Sequence, residues 1–423
     1  TYDHNLSEKD ATAAVEHIAQ IDATKIGTFW DVTPTKTKPI TKPIIEIMRA
    51  RLLQFLEDNG FHLYFYDEKT NIYRFVRQSN GFVTEETSES IKKFIFDYVS
   101  KLPDSFDGIN QESLLQTIIN GSDKYFSKNS LEWLKRKNID FLKDDYNNAY
   151  FPFRNGVVKV DSNGSKLLTY GEVGKVIWRS QVIDFNIDVD MAFDFSLCEF
   201  YKFMCKVCGD DEEKLVYLIT LVGYLLHQYK DPSRPFAVIL AEETEDEKKG
   251  GGAGKGILVK ALLSMSNIER VDGKNFKLDK NFAFQRVGID TKIIAIEDVR
   301  KNVDFEGFYS IITEGITIEK KNQDELFLPY KDSPKIMFTT NYTISSVGGH
   351  AKRRQRVFEF SNFFNSGNSP LDYFGHKLFD DWDMDEWNRF YNLFFTCVSL
   401  YLSNGVKEYA NGDKLNRKHI KLS

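Results

Sequence analysis

The chain has 423 residues, 42% of them hydrophobic and 28% charged, and a formal net charge of −6. Such a balance belongs to water-soluble globular protein, with room for roughly two to four domains. The charge excludes a chain that is basic overall, so any nucleic-acid contact must rest on a local basic patch. The absence of an apolar run of about 18 residues speaks against a membrane span.

The opening residues Thr1-Tyr2-Asp3-His4-Asn5 carry no secretory pattern and no initiator methionine, which leaves room for an upstream domain. Residues 40–60 read as one helix, with Pro43 in its first turn, an apolar stripe from Ile44 to Leu56 and Gly60 as its stop. His62–Tyr66 and Ile72–Phe75 alternate around a polar turn and predict a hairpin. A second helix is expected over Ser88–Leu102, with Ile91, Phe94, Ile95 and Val99 on one face. This small α+β region, residues 1–110, leaves two readings open: a winged-helix-like DNA binder, and a scaffold or docking piece.

Residues 110–148 look helical and polar. Gly156–Val160 and Lys166–Thr169 flank Asp161-Ser162-Asn163-Gly164, a strong hairpin signal. Residues 193–229 read as helical with a break near Gly209-Asp210, and Asp231-Pro232 marks a domain boundary. The four cysteines are Cys198, Cys205, Cys208 and Cys397. The first three lie on an apolar helical stretch with no second pair at zinc spacing, so they read as core thiols in a reducing cytoplasm.

Phe236–Leu240 is a buried-strand run. An acidic segment, Glu242–Lys249, leads into Gly250-Gly251-Gly252-Ala253-Gly254-Lys255-Gly256 and an apolar helical stretch beginning at Ile257. Strand, glycine loop and helix form the context a phosphate-binding loop needs: glycines let N–H groups turn inward, the helix end adds partial positive charge, and Lys255 reaches the terminal phosphates. Two departures stand out. The usual first glycine falls on Lys249, and the Ser or Thr that normally contacts Mg²⁺ is Gly256.

Three more features follow. Lys292–Ile296 is an apolar strand ending in Glu297-Asp298, a place for acids that hold Mg²⁺ or orient an attacking water. Lys335–Thr340 is another strand and ends in Asn341, which either senses a γ-phosphate or caps a turn. Between them, Ile316–Ile318 and Leu326–Leu328 read as a hairpin with Lys320 and Lys321 at its tip, either gripping nucleic acid or simply solvated. Finally Arg353 and Arg354 sit in a basic cluster before the strand ending at Phe360, either reaching a neighbour's phosphates or forming a solvated turn.

This order of glycine loop, acidic pair, basic hairpin, Asn strand and arginine cluster resembles the superfamily 3 helicases of small DNA viruses, poxviruses, phages and plasmids. Ile296-Glu297-Asp298-Val299-Arg300 is similar to the acidic strand of the polyomavirus large tumour antigen. Arg154-Asn155-Gly156-Val157-Val158 and Gly223-Tyr224-Leu225-Leu226 resemble segments preceding the motor in phage- and poxvirus-type primase-helicases. The resemblance covers about 150–365, more weakly the tail with Trp382 and Trp387, and none of 1–110. It implies an α/β AAA+ ATPase core, three-layered around a parallel sheet, at 233–362. Around it would lie a hairpin plus helical pre-motor or oligomerisation domain at 111–232 and a helical C-terminal segment at 363–423.

The implied activity is ATP-dependent DNA unwinding with Mg²⁺ by a homo-oligomeric ring, a hexamer, on single-stranded or forked DNA, with a primase or polymerase as a further partner. In that reading Gly250–Ile257 cradle the phosphates and Lys255, Glu297, Asp298 and Asn341 act in catalysis. Arg353, or Arg354, reaches in from the next subunit, and Lys320 and Lys321 contact DNA. Two rivals stay open: an ATP-switched replication initiator with little hydrolysis, kept alive by the missing hydroxyl at Gly256, and an inactive ATPase-like scaffold.

Overall fold

The structure is a computed structural model and describes residues 28–33, 43–67, 72–106, 108–189, 194–243, 251–278, 280, 282–300, 303, 305–321, 325–342 and 353–409. The chain divides into two units, Thr1–Ile139 and Asp140–Ser423.

In the first unit, β1 (Trp30–Thr33) pairs antiparallel with β2 (Ile44–Ile47), and helix α1 (Arg49–Asp58) follows. The single helix expected over 40–60 is therefore a strand and a shorter helix. The β-branched run Ile44-Ile45-Glu46-Ile47 favours extended backbone and finds a partner in Trp30–Thr33. Helical geometry begins only past the extended Met48. The expected hairpin is present as β3 (Phe61–Asp67) and β4 (Ile72–Ser79), and it gains a third antiparallel strand, β5 (Phe82–Glu86). Helix α2 (Ser88–Val99) starts at a reciprocal cap: the Thr87 hydroxyl accepts from the Ser90 amide, and the Thr87 amide donates to the Ser90 hydroxyl. The polar stretch after 110 contains α3 (Gln111–Asn120) and two shorter helical pieces ending at Leu131, then irregular chain. Phe29, Leu56, Phe61, Ile91, Ile95 and Leu114 form this unit's own core.

The second unit opens with a three-stranded antiparallel sheet in which β6 (Ala149–Phe153) and β8 (Gly164–Leu168) flank β7 (Gly156–Asp161). The expected Asn163-Gly164 turn joins the last two strands. Helices α4 (Glu199–Val207) and α5 (Glu212–Leu226) are separated where Gly209 and Asp210 turn left-handed, at φ 70° and 57°.

Next comes a five-stranded parallel sheet. Its strands are β9 (Ala237–Glu242), β10 (Ile268–Asp272), β11 (Ile293–Val299), β14 (Lys335–Thr340) and β15 (Gln355–Phe360), in the spatial order β10-β11-β14-β9-β15. The buried runs of β9, β11 and β14 suit a sheet covered on both faces. Helix α6 (Lys255–Leu263) follows β9, and the antiparallel hairpin of β12 (Gly315–Ile318) and β13 (Leu326–Pro329) lies between β11 and β14 in sequence. The long helix α7 (Met384–Asn404) packs along α5. Gly223 makes that closeness possible, because a Cβ there would stand 2.2 Å from the Cys397 carbonyl oxygen. One core joins Phe200 and Leu221 to Val238, Leu258, Phe358 and Phe394, so residues on both sides of Asp231-Pro232 share it. The thiols of Cys198, Cys208 and Cys397 are buried, and burial pushes Cys198 up to about 12. Among the described residues, no helix is long and apolar enough to cross a membrane.

Candidate active site at the glycine loop

The loop leaves the carboxyl end of β9, the end at which open α/β sheets hold their ligands. Gly251, Gly252 and Gly254 have φ of 127°, 93° and 100°, in the region side chains avoid. Gly254 is also the N-cap of α6 and faces the Phe203 ring, where a Cβ would come within 2.8 Å. Glycine is thus required at 254 twice over, by backbone angle and by space. Gly256 differs: its φ is ordinary and a Cβ there would meet nothing within 4 Å. Ala253 is buried and Ile257 half-buried, packing the loop and the helix start onto the core. Gly250 lies outside the described residues.

Lys255 opens α6 with its side chain buried. Its ammonium donates to the Asn341 Oδ1 at 2.8 Å and pairs with the Glu242 carboxylate, whose other oxygen accepts the Gly251 amide at 2.7 Å. Burial pulls Lys255 below the ordinary lysine range, opposed by Glu242 and, more weakly, by the charge of Asp298. Asn341 stands just past β14, next to β9 in the sheet, and its place beside the loop follows from that adjacency.

The acidic pair divides. Glu297 turns to the neighbouring strand, where the Arg270 guanidinium holds its carboxylate through two nitrogens. The pairing of β11 with β14 shifts register between Ile296 and Val299, across the next residue. Asp298 takes a left-handed φ of 55°, donates its amide to the Thr339 hydroxyl at 2.9 Å, and stays half-exposed with Lys274 at 3.3 Å. Lys255 and Asn341 are therefore in contact and the charge of Asp298 acts on Lys255, while Glu297 would have to leave Arg270 to do the same.

Asp298 and Asn341 border a cleft of about 1140 Å³ whose wall also carries Lys274, Lys277, Lys280 and Arg300. Lys274, Lys277, Lys280 and Arg270 escaped the reading of the sequence, Arg300 entered it only as the residue closing the acidic strand motif, and Glu242 only as the start of an acidic run. The basic alternation after β10 was visible there as Lys274-Asn275-Phe276-Lys277. Arg270 gave no signal.

The remaining predicted residues stand elsewhere. Lys320 is half-buried and Lys321 exposed beyond the end of β12. Arg353 is exposed, and the Arg354 guanidinium lies 5.0 Å from the centre of the Tyr309 ring. Both precede β15, whose first residue Gln355 pairs with Ala237 at the start of β9, whereas Glu242 pairs with Phe360 at its end. The arginines and the loop therefore occupy opposite ends of the sheet, separated by a strand of six residues, roughly 17 Å.

The model of a family of unknown function (DUF5906) matches residues 249–354, from just before the glycine loop to the arginine pair. No curated protein matches the chain. Among solved structures, the chain is similar to the A-form apo structure of the NrS-1 C-terminal region, at a TM-score of 0.44 and 13% identity over 87% of this chain and 74% of that one. A second A-form apo structure of that region, residues 305–718, gives 0.43 and 16% over 86% and 71%.

Proposed function

We propose that this chain is an ATP-driven DNA helicase motor of the superfamily 3, AAA+ type, serving the replication of a phage, virus or mobile element. The observation that carries the reading is the junction of Lys255 with Asn341. The first residue of the helix after the glycine loop and the polar residue ending the adjacent strand meet at 2.8 Å, beside Asp298. A phosphate chain laid on the loop would meet turned amides, an ammonium and an amide side chain together.

The groups suit ATP with Mg²⁺. Magnesium sites usually combine one or two carboxylates with phosphate oxygens and water, and Asp298 supplies a half-exposed carboxylate on the cleft. Bound there, the ion would neutralise phosphate charge. Lys255 would hold the terminal phosphate, Asn341 would orient the γ-phosphate or the attacking water, and Glu297 would enter only on release from Arg270. Arg353 and Arg354, a strand's length from Lys255 in their own chain, suit a site completed by the next subunit of a ring. Lys320 and Lys321 are the residues we assign to the DNA backbone.

ATP turnover by wild type and by Lys255→Ala, each with and without single-stranded DNA, tests the proposal, followed by strand displacement on forks of both polarities. Turnover that is lost in the variant, with unwinding by wild type, is the expected result. Binding without turnover would point to the initiator that uses ATP as a switch, a reading the bare Gly256 favours. Failure to bind ATP would leave the scaffold.

A further inference from the structure

A buried ammonium needs an anion, because burying an unpaired charge is far costlier than burying a pair. For Lys255 that anion comes from the chain itself. Glu242 is the last residue of β9 and is buried, with its two carboxylate oxygens divided between the Lys255 ammonium and the Gly251 amide. These are the two kinds of donor that a phosphate-binding loop presents to a terminal phosphate: the lysine and a turned backbone N–H. We propose that Glu242 is a built-in counter-anion of the loop, holding its phosphate donors in place and yielding them when a nucleotide enters. This rests on the nucleotide reading above.

Several consequences follow from charge alone. The carboxylate keeps the glycine loop folded around a buried lysine, so the site is organised before any ligand arrives. A triphosphate brings three or more negative charges to donors already taken, and the two anions repel at short range. Part of the binding free energy is therefore spent on moving Glu242 aside. Asn341 keeps its own bond to Lys255 and is neutral, so it has no comparable conflict with the phosphate. Glu242 acts through Lys255 and the loop, which makes it a positioning residue that also sets the threshold for nucleotide capture.

The experiment is equilibrium binding of a fluorescent, slowly hydrolysed ATP analogue, with and without Mg²⁺, to the full chain. Wild type, Glu242→Gln, Lys255→Ala and the double variant are compared, with thermal melting as a check on folding. Removing the charge is expected to tighten binding at least threefold, and the gain should vanish in the Lys255→Ala background. Equal or weaker binding by Glu242→Gln overturns the counter-anion role, since a residue that merely shapes the loop would lower affinity when altered. Wild-type binding in the same titration keeps that failure separate from failure of the nucleotide reading. No binding by either chain overturns both. Should the Gln variant not fold, Glu242→Asp, which keeps the charge but draws it back from Lys255, carries the test with the same two outcomes.

Discussion

Neighbouring acids with the same chemistry at the end of β11 are placed in unlike surroundings. Asp298 faces the cleft and its charge reaches Lys255, whereas Glu297 is clamped by Arg270. Asp298→Asn is therefore expected to lower ATP turnover by about 10²-fold or more while sparing nucleotide binding, a loss typical of removing one charge-stabilising group. Glu297→Gln should lower it less. Steady-state turnover alongside binding isotherms checks both, and the reverse ranking would move the catalytic role to Glu297. Gly256 invites the opposite kind of change. Its backbone is ordinary and the space beside it is open, so Gly256→Ser should fold normally and place a hydroxyl at the first turn of α6. The expected outcome is a lower Mg²⁺ concentration for half-maximal turnover, and an unchanged titration curve would show that the ligand position is already filled. Much of this site was legible because its residues are local: loop, strand-end acids and strand-end amide each follow an apolar run. What the sequence could not show is lateral. Arg270 and Glu297 meet because β10 and β11 are neighbours, and no linear pattern carries that adjacency.

Elements meet where small or buried polar residues permit it. The close approach of α5 and α7 depends on Gly223, since any Cβ would run into the backbone of Cys397, which cannot move aside as a side-chain tip can. Gly223→Ala should cost roughly 2 kcal/mol or more in stability, read as a lower midpoint in denaturant melts. At the C-terminal end of α5, His227 is buried with its Nε2 against the Asp145 carbonyl at 2.8 Å and its Nδ1 without a hydrogen-bond partner. Burial, then the nearby Lys335 ammonium, depress its pKa from 6.5 to about 4. A depressed histidine favours the folded state fully above 6.5, where both states are neutral. As pH falls from 6.5 to 4 the unfolded chain takes up the proton first, so stability drops by up to about 3 kcal/mol. His227→Gln should flatten that part of the stability–pH curve relative to wild type, and parallel curves would show that other groups govern it. The helix break here was readable from Gly209-Asp210, but the strand at Ile44–Ile47 was not. Its isoleucines fit a helical stripe as well as a strand, and only the remote partner Trp30–Thr33 decides between them.

For the whole molecule, the relevant distance is the length of β15. With Arg353 at one end of the sheet and Lys255 at the other, the proposed motor would draw the Arg353 guanidinium for its leaving phosphoryl from a second copy. Arg353→Ala is expected to bind ATP and hydrolyse it at least about 10³-fold more slowly. Mixing it with Lys255→Ala should restore part of the turnover, because some interfaces would then join an intact loop to an intact arginine. Full activity in a strictly monomeric Arg353→Ala protein, or co-assembled mixtures with no recovery, would sink the shared site. The opposite placement of the two groups also has a geometric consequence. A head-to-tail contact between unlike ends is heterologous, whereas an antiparallel twofold pair would make the same contact twice. In the head-to-tail case each added copy would leave one donor end and one acceptor end bare, and growth would stop only when the chain of copies closes upon itself. Otherwise it continues as an open helical filament, and the angle between successive copies decides which.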